Sequence, residues 1–328
     1  MPDRSGTARD HRRPARTGAL DGYLKWSLGA VLLSGVLVGC APETMQVGPG
    51  HAMKLPSEAI AEAGPGDTVL IEPGVYHDCA RVRASHITIA GAGPGVVLSD
   101  KTCGGKAILV IDGNDVTVRN LTLQRAEVGD HNGAGIRAEG GDLTVDSVRF
   151  LDNEEGILAA NKRGIVVRVM NSDFERNGKC QGDCAHGIYV GHIAELDITN
   201  SRFFNQHIGH HIKSRALKTV LTGNTIMDGP EGTASYEVDI PSGGTLIMEN
   251  NTLEKGPKAD NWTTAVILGE EKQGKQPTGE ILVRNNSFTN DNSHQTIFVH
   301  NETETPALLE GNRLSGNVVP LVGPGTVR

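Results

Sequence analysis

One pattern returns three times between Ala185 and Gly244. Ile188 lies twelve residues before Asn200, Ile212 twelve before Asn224, and Val238 twelve before Asn250. Each copy opens with a short strand-like run (HGIYVG, HHIKSRA, SYEVDIP). Each closes with a second run that ends at Asn (LDITN, TVLTGN, LIMEN). A unit of about 25 residues with two or three short strands cannot bury a core alone, so copies must stack into a solenoid. The closing run recurs along the chain as VTVRNLTL, LTVDSVRF, VRVMNSDF, LDITNSRF, TVLTGNTI, LIMENNTL, ILVRNNSF and ALLEGNRL. Its landmarks are Asn120, Asp146, Asn171, Asn200, Asn224, Asn251, Asn286 and Asn312. Asn tolerates the left-handed backbone of a sharp corner, and stacked amides can bond along a coil. With 42 Gly and 4% aromatic residues, the composition suits a turn-rich β architecture. A solenoid can reach 328 residues as one body.

The opening runs form a second series: GAGIRAEG, EEGILAAN, HGIYVG, HHIKSRA, SYEVDIP, TTAVILG, QTIFVH and VVPLVG. Side chains alternate across a strand. If Ile136, Ile157, Ile188, Ile212, Val238 and Ile297 point inward, then Arg137, Leu158, Tyr189, Lys213, Asp239 and Phe298 form an outward row. Arg215 faces out further along the strand, and His211 and Glu237 one position back. The longest departures from the period, Gly256–Trp262 and Glu270–Gly279, read as loops that wall a groove.

Upstream, Ser57–Ala63 reads as a short helix with Ser57 as N-cap. GPGDTVLIEPGVY, residues 64–76, follows it. Together the two segments resemble the first rung of right-handed parallel β-helix proteins of the pectin-lyase-like superfamily, in which a helix plugs the open end of the coil. The resemblance implies an all-β chain with a single right-handed parallel β-helix and a short N-terminal capping helix, over residues 53–328. An uncapped end would expose apolar core and unpaired strand edges. HIKSRA with ASYEVDIP also resembles an uncharacterised group of bacterial β-helix repeat proteins.

Residues 1–39 have the layout of an export signal: Arg12, Arg13, Arg16 and Lys25 precede the apolar run WSLGAVLLSGVLVG. That run is short and glycine-rich for a membrane span. Leu37-Val38-Gly39-Cys40 resembles a bacterial lipobox, which implies lipidation at Cys40 and residues 40–52 as a tether. With no Asp after the Cys, the same pattern implies an outer-membrane lipoprotein, periplasmic or surface-facing. Four cysteines remain, an even number suited to an oxidising compartment. The expected bridges are Cys79–Cys103, about one coil turn apart, and Cys180–Cys184, around CQGDC. Zinc is the rival reading of these thiols, with His186 nearby; no metal site is assigned. The formal charge is −8. Residues 1–39 hold six basic and three acidic side chains, so 25 basic against 36 acidic remain, or −11. This argues against nucleic acid as a partner. The expected partner is a polysaccharide, met by a monomer that touches the membrane only through its lipid.

The polar residues concentrate in the central repeats, with His192, His207, His210 and His211 close together. A uronate lyase or C5-epimerase needs a base, and a cation for the enolate that forms. Tyr189, His211, Lys213, Arg215, Tyr236 and Asp239 are the catalytic candidates, with Arg137, His192, His210, Asp228 and Glu237 as substrate ligands. HHIKSRALKTVLTGNTI resembles the "KS…NT" segment of β-helix alginate and chondroitin lyases, which implies Lys213 as base. Those lyases carry an arginine on the next rung, where this chain has Tyr236-Glu237-Val238-Asp239. Arg215 or Arg137 is the substitute clamp, and Tyr189 or His211 the proton donor. Glycoside hydrolysis, which needs two carboxylates, has candidates in Asp228, Glu231, Glu237 and Asp239. A non-catalytic glycan-binding or structural envelope protein is the third reading, with Lys213–Asp239 as a cross-rung ion pair. No cofactor is expected; whether Ca²⁺ bridges carboxylates to substrate is left open.

Overall fold

The computed structural model describes residues 41–271 and 274–328. The signal segment 1–39 and the lipidation candidate Cys40 lie outside the described residues. The described chain winds into a coil whose strands form three parallel sheets of 12, 10 and 10 strands. Between the two ends, each turn gives one strand to each sheet in a fixed order. Glu195–Thr199, Arg202–Phe204 and Ile212–Ser214 are one such turn. The twenty-odd-residue period is therefore one circuit of the coil, and its register is strict: Ile136, Ile157, Ile188, Ile212, Val238 and Val266 lie side by side.

Strand alternation explains the core. Ile136, Ile157, Ile188, Ile212 and Val238 are fully buried inside the coil, as expected. Phe150, Phe174 and Phe203 stack on successive turns with ring centroids 4.5 Å apart, the spacing of paired strands. Beneath them the backbone must approach closely. A Cβ on Gly156 would lie 2.2 Å from the Gly187 carbonyl oxygen and 2.8 Å from the Phe174 ring.

The expected row slips at its end. Phe298 is buried against Phe288, and Ile297 is only half-buried. The register Val266–Val299 puts His300, not Phe298, beside Ile267 and hence in the outward row. The extra residues between Leu268 and Ile281 carry no sheet register, so counting through them misassigned the face.

Asparagine does two jobs at the corner rather than one. Asn120, Asn171, Asn200, Asn250 and Asn285 hold left-handed φ values of 50° to 58°. The next position carries the ladder. Asn224 Nδ2 donates to Asn251 Oδ1 at 3.0 Å, Asn251 to Asn286 at 2.9 Å, and Asn286 to Asn312 at 3.0 Å. Each rung's backbone N–H donates to the same amide oxygens. Ser172 and Ser201 take the ladder position on earlier turns.

Two N-terminal expectations change. Thr44–Val47, placed in the tether, is a strand of the first sheet in parallel register with Thr68–Ile71, and Val47 is buried. An unpaired strand edge captures such a run readily. The helix spans Pro56–Glu62, so Ser57 lies inside it. Glu58 Oε2 instead accepts the Lys54 and Leu55 N–H groups at 2.6 and 3.0 Å, and Pro56 suits the first turn because its missing N–H needs no partner there. Both expected disulfides form, with Cα–Cα distances of 5.5 Å for Cys79–Cys103 and 4.2 Å for Cys180–Cys184. Among the described residues no helix is long and apolar enough to cross a membrane.

Candidate functional site

Two columns run across the third sheet. The first, two positions before the inward Ile or Val, holds Glu155, His186, His210 and Tyr236. The second, one position after it, holds Arg137, Leu158, Tyr189, Lys213 and Asp239. Arg215 stands two residues beyond Lys213. A cavity of about 550 Å³ opens where these columns meet, and Glu155, His186, Tyr189, His210, Lys213 and Arg215 line it.

Lys213 Nζ lies 3.0 Å from Asp239 Oδ2, in an ion pair off the line of a hydrogen bond. Burial pushes the Asp239 carboxyl up to about 7; Lys213 opposes the rise and Glu270 adds to it. Arg215 Nη1 donates to the Tyr189 hydroxyl oxygen, and its guanidinium sits 5.1 Å from the Tyr189 ring centroid. The other edge of Arg215 is bound to Glu271, with Nε donating to Oε2 at 3.2 Å. Gln276 Nε2 donates to the Arg215 carbonyl at 2.5 Å, and the Tyr236 hydroxyl donates to Glu270 at 3.3 Å. The loop Glu270–Gly279 therefore walls one side of the site; its Lys272 and Gln273 lie outside the described residues.

The imidazoles are stacked: His186 and His210 have centroids 4.7 Å apart, and Tyr236 continues the stack at 5.0 Å. The His210 N–H donates to His186 Nδ1 at 3.0 Å, and the Tyr236 N–H to His210 Nδ1 at 3.2 Å. Burial, then Lys213 and Arg215, hold the His186 pKa well below its usual value. Burial, then His186 and Lys213, do the same for His210. His210 Nε2 faces Asp239 at 3.4 Å. Burial lifts the Glu155 carboxyl well above the usual range, against its hydrogen bond from the His186 N–H at 2.9 Å.

Several expected members lie elsewhere. His211 and Asp228 are fully buried, with Nε2 and Oδ1 3.0 Å apart. Burial pushes Asp228 up, but His211 and Lys255 hold its carboxyl below the usual range. Glu237 is also buried, 2.9 Å from Lys255 Nζ. Burial drives its pKa well up despite that lysine. The position before each inward residue points into the corner beneath the Phe stack, since His211 packs edge-on against Phe203. Strict alternation fails there, so His211, Asp228 and Glu237 cannot meet a ligand on the outer face. Of the four carboxylates named for hydrolysis, Asp228 and Glu237 are thereby taken out, while Asp239 stays beside Lys213 and Glu231 is exposed. His192 turns to Asn161 and to the Gly274 carbonyl at 3.2 Å, at a separate depression. Arg137 lies two strands from Lys213's neighbour Tyr189, 3.6 Å from Glu139.

The sequence reading missed Glu155 and His186 as members of the site. The signal was present: each stands two residues before an inward Ile, as His210 does. Among the described residues, no group of three or more His, Cys, Asp or Glu side chains is placed to hold a metal ion.

A family model described as a right handed beta helix region matches residues 167–325. The fold is a right-handed parallel β-helix. No curated protein matches this β-helix chain. Among solved structures, the alginate lyase from Paenibacillus sp. str. FPU-7 is similar at 18% identity and a TM-score of 0.59, over 86% of this chain and 99% of the lyase. Pectin methylesterase PemA from Erwinia chrysanthemi is 12% identical with a TM-score of 0.41, over 82% and 92% of the two chains. The A-module of an Azotobacter vinelandii mannuronan C-5 epimerase is 15% identical with a TM-score of 0.39, over 83% and 94%. The first likeness concerns the fold alone, and the last two scores are too low to carry an argument.

Proposed function

We propose that this β-helix protein acts on an acidic polysaccharide of the cell envelope, as a uronate lyase or C5-epimerase. One observation carries the reading: Tyr189, Lys213 and Arg215 converge on a single cavity, with Lys213 paired to a buried Asp239. Lys213 takes the proton from the carbon next to the uronate carboxylate. Asp239 holds the Lys213 amine at 3.0 Å, on the edge of the cavity where a base for this step is needed. The Tyr189 hydroxyl, oriented by Arg215, protonates the leaving oxygen as the carbon–oxygen bond breaks and the ring double bond forms. In epimerisation it returns a proton to the opposite face of the same carbon. Arg215 acts here through Tyr189, because Glu271 occupies the edge that a carboxylate clamp would offer.

The surrounding reading is of one piece with this. Export through residues 1–39 and lipidation at Cys40 place the domain in the envelope, and Pro56–Glu62 plugs the first turn, where it packs on Ala80–Val82. The alternative with a specific observation behind it is a glycan-binding module without turnover, since Lys213–Asp239 is also an ordinary cross-strand pair and Arg215 is tied down by a loop carboxylate, Glu271.

A screen of residues 41–328 against acidic and neutral polysaccharides separates these readings. Ultraviolet absorbance of an unsaturated uronate together with new reducing ends identifies a lyase. Deuterium uptake at C5 from heavy water, without chain cleavage, identifies an epimerase. Binding with neither signal sinks the enzyme reading and leaves the binding module.

A further inference from the structure

We infer that His186 receives the acidic group of the ligand, as a fixed Nε2–H donor and not as a base. The inference rests on the uronate reading above and adds a specificity residue to it. The His186 Nδ1 accepts the His210 N–H at 3.0 Å. That nitrogen must therefore be unprotonated, which puts the neutral ring's hydrogen on Nε2. His210 obeys the same constraint through the Tyr236 N–H, but its Nε2 is already turned to Asp239. His186 Nε2 has no hydrogen-bond partner among the described residues, and the residue, 5% exposed, lines the cavity beside Lys213 and Arg215.

The setting favours an anion. Burial beside two cations keeps His186 neutral, so its donor is available without a proton to lose. Glu155 accepts the His186 backbone N–H through Oε2, and its Oε1 has no partner. Burial favours the protonated form of its carboxyl, and in that form Oε1 can donate to the same ligand group. An uncharged hydroxymethyl in that place would leave the donors of His186, Glu155 and Lys213 poorly matched, which is how a built polar site rejects a neutral analogue.

The test compares a uronate tetrasaccharide with the same oligosaccharide after reduction of its carboxyl groups, by calorimetry on residues 41–328. The wild-type protein should bind the acidic form more tightly. His186→Phe keeps a ring in the stack and removes the donor; it should weaken acidic binding by about tenfold or more, the effect of losing one hydrogen bond to a charged group. Binding of the reduced form should change by less than about threefold. His186→Gln, which restores a donor, should recover most of the acidic preference. Nitrogen-15 correlations on the wild-type rings check the tautomer without any variant. A protonated Nδ1 overturns the inference, and so does a Phe variant that binds the acidic sugar unchanged. If the wild-type protein binds both sugars equally, His186 loses this role while the carbohydrate reading survives. If it binds neither, the carbohydrate reading falls first and takes this inference with it.

Discussion

Lys213 and Asp239 face each other because two strands put them in register, and their pairing sets the first expectations. Lys213→Ala should lower turnover by about 10²–10⁴-fold, the usual worth of a positioned proton-transfer group, with an unchanged circular dichroism spectrum. Unchanged turnover would remove Lys213 from the mechanism. Asp239 makes a separate prediction about stability. Its folded pKa is raised from 3.8 to about 7. A raised carboxyl favours the folded state below the unfolded value, and that contribution is lost as pH rises through the folded value. Asp239→Asn should therefore melt with less loss than wild type between about pH 4 and 8. Parallel curves for the two proteins would contradict it. Residue identity alone pointed to both side chains, because charges opposite each other on repeated strands are conspicuous. It could not show that Glu271 occupies Arg215, a contact made across 56 residues of chain.

The corner between strands is the element on which the coil turns, and its two asparagine columns should respond differently to change. Asn251→Ala removes the acceptor of both the Asn224 backbone N–H and the Asn224 amide, all of them buried. Buried unpaired groups cost about 1–3 kcal/mol each, so the urea midpoint should fall clearly. Asn250→Gly, at a left-handed position with φ 58°, should change it little, since glycine adopts that conformation freely. Equal effects would mean that the ladder contributes nothing beyond the turn. The repeat was legible as Asn every two dozen residues. Which Asn supplies the turn and which the ladder was not, because the two sit side by side in NN and NS pairs. The same limit moved Ser57 from cap to helix interior, where its N–H donates to Asp78 at 2.8 Å.

The whole molecule is a stack of nearest-neighbour turns, and Cys79–Cys103 ties two early turns of it together. The bridge spans 24 residues. Replacing both cysteines by Ala should cost about 2–4 kcal/mol in unfolding free energy, mainly by freeing the unfolded chain. A midpoint that does not move would show that the early turns already unfold separately from the rest. The period, the alternation and the corner residues were enough to determine a β-solenoid by sequence alone, for a local reason: each turn repeats the same inward apolar and outward polar choice. The first strand, Thr44–Val47, escaped notice because four residues carry no repeat of their own. The site was only half local. Tyr189, Lys213 and Asp239 share one offset within the repeat and could be found by counting. His211 and Glu237 share another offset, and counting put them outside, but the corner bends them into the core. His186 acquires its meaning from a backbone N–H on the next turn, and Arg215 from a loop two turns on. Such contacts depend on how turns stack and where insertions fold back, which no single repeat encodes; the tertiary structure decided them.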